Sequence, residues 1–194
     1  MKKTLSLLLC SLLTFLTVGC KNASPASASL QFDASKELFP QIVQRTDEHY
    51  TFLNLGWGIS RDEALAKLSL TDGAVSEMTD TKVFLPFYSD ELKASGRVVL
   101  YFSQSGLCLG QCFIETDRDH QQELAGWAER YRDAFQLSGV DWTDTGTLSG
   151  SFEDGDEVDI QFCERAANEG DLYLIISVGR HNVTELNFES FVSP

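Results

Sequence analysis

Positive charge, histidine and the short motifs of common chemistries are scarce in this sequence. Lysine and arginine number 15 against 29 aspartates and glutamates, a formal net charge of -14. Such a surface repels phosphate backbones and anionic lipid head groups, so nucleic acid is not an expected partner, and any membrane contact must come from something other than charge. Solubility explains the acid excess, and binding of a cation or a basic partner is the less common explanation. The three histidines, His49, His120 and His181, stand in no nucleophile motif: G-x-S-x-G is missing, and no protease signature flanks Cys108, Cys112 or Cys163. H-E-x-x-H, C-x-x-C and a full calcium loop are also missing. Gly56-Trp57-Gly58 has neither the spacing nor the lysine of a phosphate-cradling loop. No catalytic residue, metal set or cofactor is assigned from these patterns.

Only one stretch forms a long apolar run, from Leu5 to Val18, broken by Ser6, Cys10, Ser11, Thr14 and Thr17 and preceded by Met1, Lys2 and Lys3. A short positive end followed by an apolar run too short to span a bilayer comfortably reads as a secretory signal. The run closes in Leu16-Thr17-Val18-Gly19-Cys20, which resembles the lipobox of bacterial lipoproteins. The resemblance implies cleavage between Gly19 and Cys20, with a diacylglyceryl group on the Cys20 thiol. The small Gly19 gives a peptidase access to the bond, and the thiol is the nucleophile that is alkylated. Thr17 departs from the pattern, which usually has leucine there. The alternative is an ordinary signal with a freely secreted product. Lys21 to Ser29 is small, polar and tether-like. Two acyl chains would anchor stably, since each buried CH₂ contributes about 0.8 kcal/mol.

The expected organisation is a signal peptide over residues 1–19, a lipidated cysteine with a tether or packed arm over 20–47, and one acidic α+β domain over 48–194. That length supports a proper hydrophobic core. Beyond Cys10 and Cys20, three cysteines remain, so at least one is unpaired unless another chain supplies a thiol. Cys108 and Cys112 lie four apart in an apparent strand, on one face and roughly 13 Å apart by strand rise. A disulfide between them would need the strand to bend. Pairing with Cys163 stays open, beside the reading of all three as small buried hydrophobes.

Within the tether or arm, Leu38, Phe39, Ile42 and Val43 suit a short helix beginning near Pro40. Ser60-Arg61-Asp62-Glu63 reads as a capping box, opening a helix that ends before Thr71-Asp72-Gly73. Strands are expected over Lys82 to Tyr88, Arg97 to Ser103 and Leu107 to Glu115, with turns at Ser95-Gly96 and Ser105-Gly106. A second helix starts near Asp117 or Asp119 and buries Leu124, Trp127, Ala128, Tyr131, Ala134 and Phe135 before stopping at Ser138-Gly139. Three more strands follow, Thr145 to Glu153, Glu157 to Arg165 and Asp171 to Arg180. Asp154-Gly155 and Asn168-Glu169-Gly170 are their turns.

The fold class is therefore α+β, with two helices packed on antiparallel sheet. The order of one helix and three strands recurs over about 52–115 and 116–180. Val98, Leu100 and Phe102 recur as Val158, Ile160 and Phe162, and Leu107 and Leu109 as Leu172 and Leu174. A tandem duplication accounts for this, as does chance recurrence of alternating apolar residues. Gly58, Ile59, Ser60, Glu63 and Leu68, followed by a meander, resemble the small α+β modules of secreted β-lactamase-inhibitor proteins and of the outer-membrane assembly lipoprotein family SmpA/OmlA. That resemblance implies protein binding with the sheet as contact surface, and carries over no functional residue.

Trp127 and Trp57 read as packing residues, whereas Trp142 sits beside Asp141 and Asp144 in a polar loop and is a candidate contact. The acids of Glu153-Asp154-Gly155-Asp156-Glu157-Val158-Asp159 suit either a hard cation or a solvated turn. The expected function is a non-enzymatic, membrane-tethered protein-binding or accessory module, its partners a membrane, through lipid on Cys20, and another envelope protein. The competing readings are an envelope hydrolase with a scattered site and a cation-binding protein.

Overall fold

A computed structural model describes residues 29–70, 77–79, 81–139, 146–152, 155–164 and 171–180. The elements run α1 (Leu38–Ile42), β1 (Val43–Arg45), β2 (Tyr50–Phe52), α2 (Arg61–Lys67), β3 (Glu77–Met78), β4 (Lys82–Ser89), β5 (Ala94–Ser103), β6 (Gly106–Asp117), α3 (Gln121–Glu129), β7 (Leu148–Ser151), β8 (Asp156–Glu164) and β9 (Asp171–Arg180). Strands β3 to β9 make one antiparallel sheet in the order β3-β4-β5-β6-β9-β8-β7, and β1 and β2 form a separate hairpin. The two meanders meet at their last strands, with Ile114 opposite Leu174 in the central β6–β9 pair.

Alternation along these strands sorts residues onto two faces. Val83, Leu85, Val98, Leu100, Cys112, Ile114, Val158, Ile160, Leu174 and Ile176 are fully buried on one face, the inner one. The helices and the β1–β2 hairpin contribute to this same core. Burial of each such aliphatic side chain contributes about 1.5–3 kcal/mol, so this face carries most of the fold's stability.

The core begins earlier in the chain than residue 48. Leu30, Leu38, Phe39, Ile42 and Val43 are all buried. Leu30 N donates to Pro86 O at 2.8 Å, and the Phe39 ring stacks on Tyr131 at 4.6 Å. Pro40 falls inside the first turn of α1, where its missing N–H costs nothing. From Leu30 onward the described chain packs into this core.

Helix α2 opens as its capping box requires: Glu63 N donates to Ser60 Oγ at 3.3 Å, and Ser60 N donates to Glu63 Oε2 at 3.0 Å. From α3 into the turns after it, Trp127, Tyr131 and Phe135 follow one another at four-residue spacing onto Phe39. Regular helix stops at Glu129, short of the expected Ser138-Gly139, and irregular turns continue to Gln136, whose φ is 54°. Ala134 is exposed there and not part of the buried stripe. The chain then reverses through Leu137 N donating to Arg132 O at 2.8 Å, the bond that closes a left-handed helix ending.

Two further expectations fail for identifiable reasons. The β4–β5 turn lies at Asp90 to Lys93, where Leu92 N donates to Ser89 Oγ at 3.1 Å, and Gly96 is a strand residue opposite Phe87. Any Cβ at Gly96 would meet the Phe87 ring, so this glycine makes room for a side chain and does not bend the chain. The register of β5 on β6 also shifts between Tyr101 and Phe102, leaving Cys108 as an extra residue between Leu107 and Leu109. This β-bulge reverses the alternation. Cys108 therefore joins Val99, Tyr101 and Leu109 on the outer face while Cys112 lies in the inner core, so the two thiols are on opposite faces. All three described cysteines are free thiols. Burial pushes the Cys112 thiol up, as expected of a small core hydrophobe.

Candidate functional site

The outer face is built from the alternate residues of the same strands. Its centre is a small buried cluster of Val99, Tyr101, Cys108 and Leu109, against which Phe84 and Phe113 pack. No described helix contributes to it. A polar row crosses it: Tyr101 Oη donates to Gln111 Oε1 at 2.8 Å, and Gln111 Nε2 donates to Ser177 Oγ at 3.0 Å. Ser177 stands opposite Asp159, and Asp159 opposite Ser149. Burial raises the Tyr101 hydroxyl to about 12 and outweighs the nearby Arg97, which lowers it. Burial likewise raises the Asp159 carboxyl, against a hydrogen bond with Ser149. Buried polar groups of this kind are stable only when paired, and the pairing fixes the side chains across several strands.

Arg97 lies beside this row on β5, and is exposed. Its guanidinium is 5.5 Å from the ring centre of Phe113 and 5.7 Å from that of Tyr173, and those two rings meet edge to face at 5.8 Å. The Lys82 ammonium is 5.6 Å from the Tyr101 ring. These cation–π contacts hold two cations on an aromatic surface in an otherwise acidic protein. The contrast with the other described arginines is sharp. Arg61 pairs with Asp62, Arg118 with Glu164, Arg130 with Glu91, Arg132 with Glu129 and Arg180 with Asp156. Arg45 bonds the Gln136 amide at 2.6 Å. Among the described residues, Arg97 is the arginine with rings for neighbours and no oxygen partner.

A cleft of about 890 Å³ lies between α3 and the β4–β5 turn, lined by Glu91, Glu115, Asp117, His120, Trp127 and Arg130 among others. His120 Nδ1 is 2.8 Å from Asp117 Oδ1, and the same oxygen accepts the His120 backbone N–H at 2.9 Å. The pair is exposed and organises the start of α3. The hydrogen bond and charge of Asp117 raise the His120 imidazole, and the bonds from His120 lower the Asp117 carboxyl. Among the described residues no hydroxyl or thiol hydrogen-bonds His120. Glu91 is a structural tie: it accepts from Trp127 Nε1 at 2.8 Å, Arg130 at 3.2 Å and the Leu38 N–H at 2.7 Å, joining α3, the β4–β5 turn and α1.

Neither a family model nor a curated protein nor a solved structure matches this chain. Its function has to come from the chemistry of its own residues. Gly19 and Cys20 lie outside the described residues, as do His181 and Trp142. His49 sits in the β1–β2 turn, its N–H donating to Thr46 Oγ1 at 3.0 Å, far in role from any site. Trp57 Nε1 donates to Tyr50 O at 2.9 Å, and Trp127 is buried, so both are packing residues. Glu153 and Asp154 of the acidic turn are outside the described residues, while Asp156 is fully buried with its Oδ1 3.1 Å from Arg180 Nε. Among the described residues no group of three His, Cys, Asp or Glu is arranged to hold a metal. Sequence reasoning missed Arg97, Phe113 and Tyr173. The signal was present as alternation, Arg97 and Val99 being out of phase with Val98 and Leu100, but the ring neighbours come from strands 16 and 76 positions away.

Proposed function

We propose that this chain is an extracytoplasmic lipoprotein, held on a membrane by lipid on Cys20, whose domain is a non-enzymatic protein-binding or accessory module that presents the outer face of its sheet. The observation that carries the binding part is the set of Arg97, Phe113, Tyr173, Phe84 and Lys82 on a sheet face to which no described helix contributes. Tyrosine and arginine are enriched where interfaces concentrate their energy. The anchor rests on the signal run, Gly19 and Cys20 in the sequence. No described helix is long and apolar enough to cross a membrane. From Cys20 to the packed arm at Ser29 the chain reaches at most roughly 32 Å, so the domain would work close to the surface that holds it.

The test is Cys20→Ala in the native cell. Loss of metabolic lipid labelling and release of the protein from membranes is the expected outcome, and labelled, membrane-bound Cys20→Ala protein overturns the anchor. Among the described residues, the His120–Asp117 pair in the cleft is the arrangement a hydrolase reading would draw on. Loss of an envelope hydrolytic activity in His120→Ala, with the fold intact, would favour that reading.

The same proposal includes a tandem origin for the two meanders. Val98, Leu100, Phe102 and Val158, Ile160, Phe162 occupy corresponding places in the one core, which supports it. Leu109 and Leu174 do not correspond, because the extra residue Cys108 turns Leu109 to the outer face.

A further inference from the structure

We infer that Arg97 is the anchor for a carboxylate of a partner protein, an extended segment that sets an acidic residue beside an aromatic or aliphatic one. This rests on the binding-module reading and names its contact point and partner chemistry. Five of the seven described arginines are paired with a carboxylate of this chain, and Arg45 donates to an amide oxygen. With 29 acids to 15 bases in the chain, an exposed arginine that meets none of them among the described residues is the exception. The Phe113 and Tyr173 rings hold it in place without satisfying its N–H groups. A guanidinium fixed against rings loses little freedom on pairing, and its planar fork matches the two oxygens of a carboxylate.

The neighbours decide the class of partner. Half-buried Phe84, Phe113 and Tyr173, with Tyr88 55% exposed at the end of β4, offer apolar area that a bare anion does not use. A side chain of a protein segment does use it. The net charge of -14 works against anionic lipid surfaces and phosphate polymers, whose many charges would meet repulsion around one favourable contact. A protein segment with one or two acids pays far less of that repulsion.

The experiment selects binders from a random dodecapeptide display library on the full lipidated chain in detergent. Expected are peptides enriched in Asp or Glu next to an aromatic or aliphatic residue. Their affinity should fall at least ten-fold in Arg97→Gln and hold in Arg61→Gln, which removes the same charge from α2. Equal thermal midpoints for the two variants exclude unfolding as the cause. Peptides without acidic enrichment, or binding that Arg97→Gln leaves intact, overturn the inference while leaving the binding-module reading standing. Failure to select any peptide overturns both. Three other outcomes also overturn the inference: full displacement of the peptides by 10 mM inorganic phosphate, equal binding of vesicles rich in phosphatidylglycerol, and binding only by a chain ending at Arg180. The last would mean that the chain's own final residues occupy the face. Cys20→Ala is expected to change membrane retention without changing peptide affinity, so the anchor and the contact fail independently.

Discussion

The inner and outer faces of the sheet are made by the same strands, one residue apart, and differ in nearly every respect. On the inner face Leu100, Cys112, Ile160 and Ile176 are fully buried in one hydrophobic core shared with the helices. On the outer face the neighbouring residues are Val99 and then three polar ones, Gln111, Ser177 and Asp159, which are hydrogen-bonded or set opposite one another. The difference separates what stabilises the protein from what it can offer a partner. Alternation is the cheapest way to do both with one sheet, because each strand serves two solvents at once.

Breaking the inner face should have the largest effect. Leu100→Ala removes a fully buried side chain, and a loss of about 2–5 kcal/mol is expected from the shift in urea midpoint. Next comes Gly110, over which the Phe52 ring lies so closely that any Cβ would collide with it. Gly110→Ala should cost about 1–3 kcal/mol by forcing β2 off β6. Adding Phe52→Leu should recover part of that, and a double variant no better than the single would show the glycine serves something else.

Effects on the outer face should be smaller. Gln111→Leu removes the partner of Tyr101 Oη and of Ser177 Oγ, and about 1 kcal/mol of destabilisation is expected by thermal melting. Smallest is the effect of Asp159. Its carboxyl is raised by burial in the folded state, so the folded protein holds the proton more tightly than the unfolded chain. That contribution favours folding below the ordinary value of 3.8 and is lost as pH rises through the raised folded value. Asp159→Asn should therefore melt slightly higher than the parent at neutral pH and equally with it in acid. A difference that grows toward acid would reverse the sign and sharpen the contrast in the opposite direction.

The strands and the first cap were legible because they depend on near neighbours. β9 spans Asp171–Arg180 as alternation predicts, and Ser60 with Glu63 needs only four residues to close its box. The β4–β5 turn was misplaced because Gly96 carries the mark of a turn but serves the Phe87 ring opposite. The parity of Cys108 and Cys112 was misjudged because a bulge is a property of two paired strands, and neither strand alone announces it. The candidate contact was invisible for the same reason: Arg97 is an ordinary exposed residue until Phe113 and Tyr173 are brought to it.

The amino-acid sequence by itself determined the charge, the capping box of α2 and most of the strands, since all of these follow from composition and from contacts within a few residues. Only the tertiary structure decided which side of the bulge each thiol faces, that the arm from Leu30 belongs to the core, and that Arg97 rests on rings where the other described arginines meet oxygen atoms. Those outcomes depend on strands far apart in the chain being hydrogen-bonded in one register, and that register is set by the burial of the whole inner face at once.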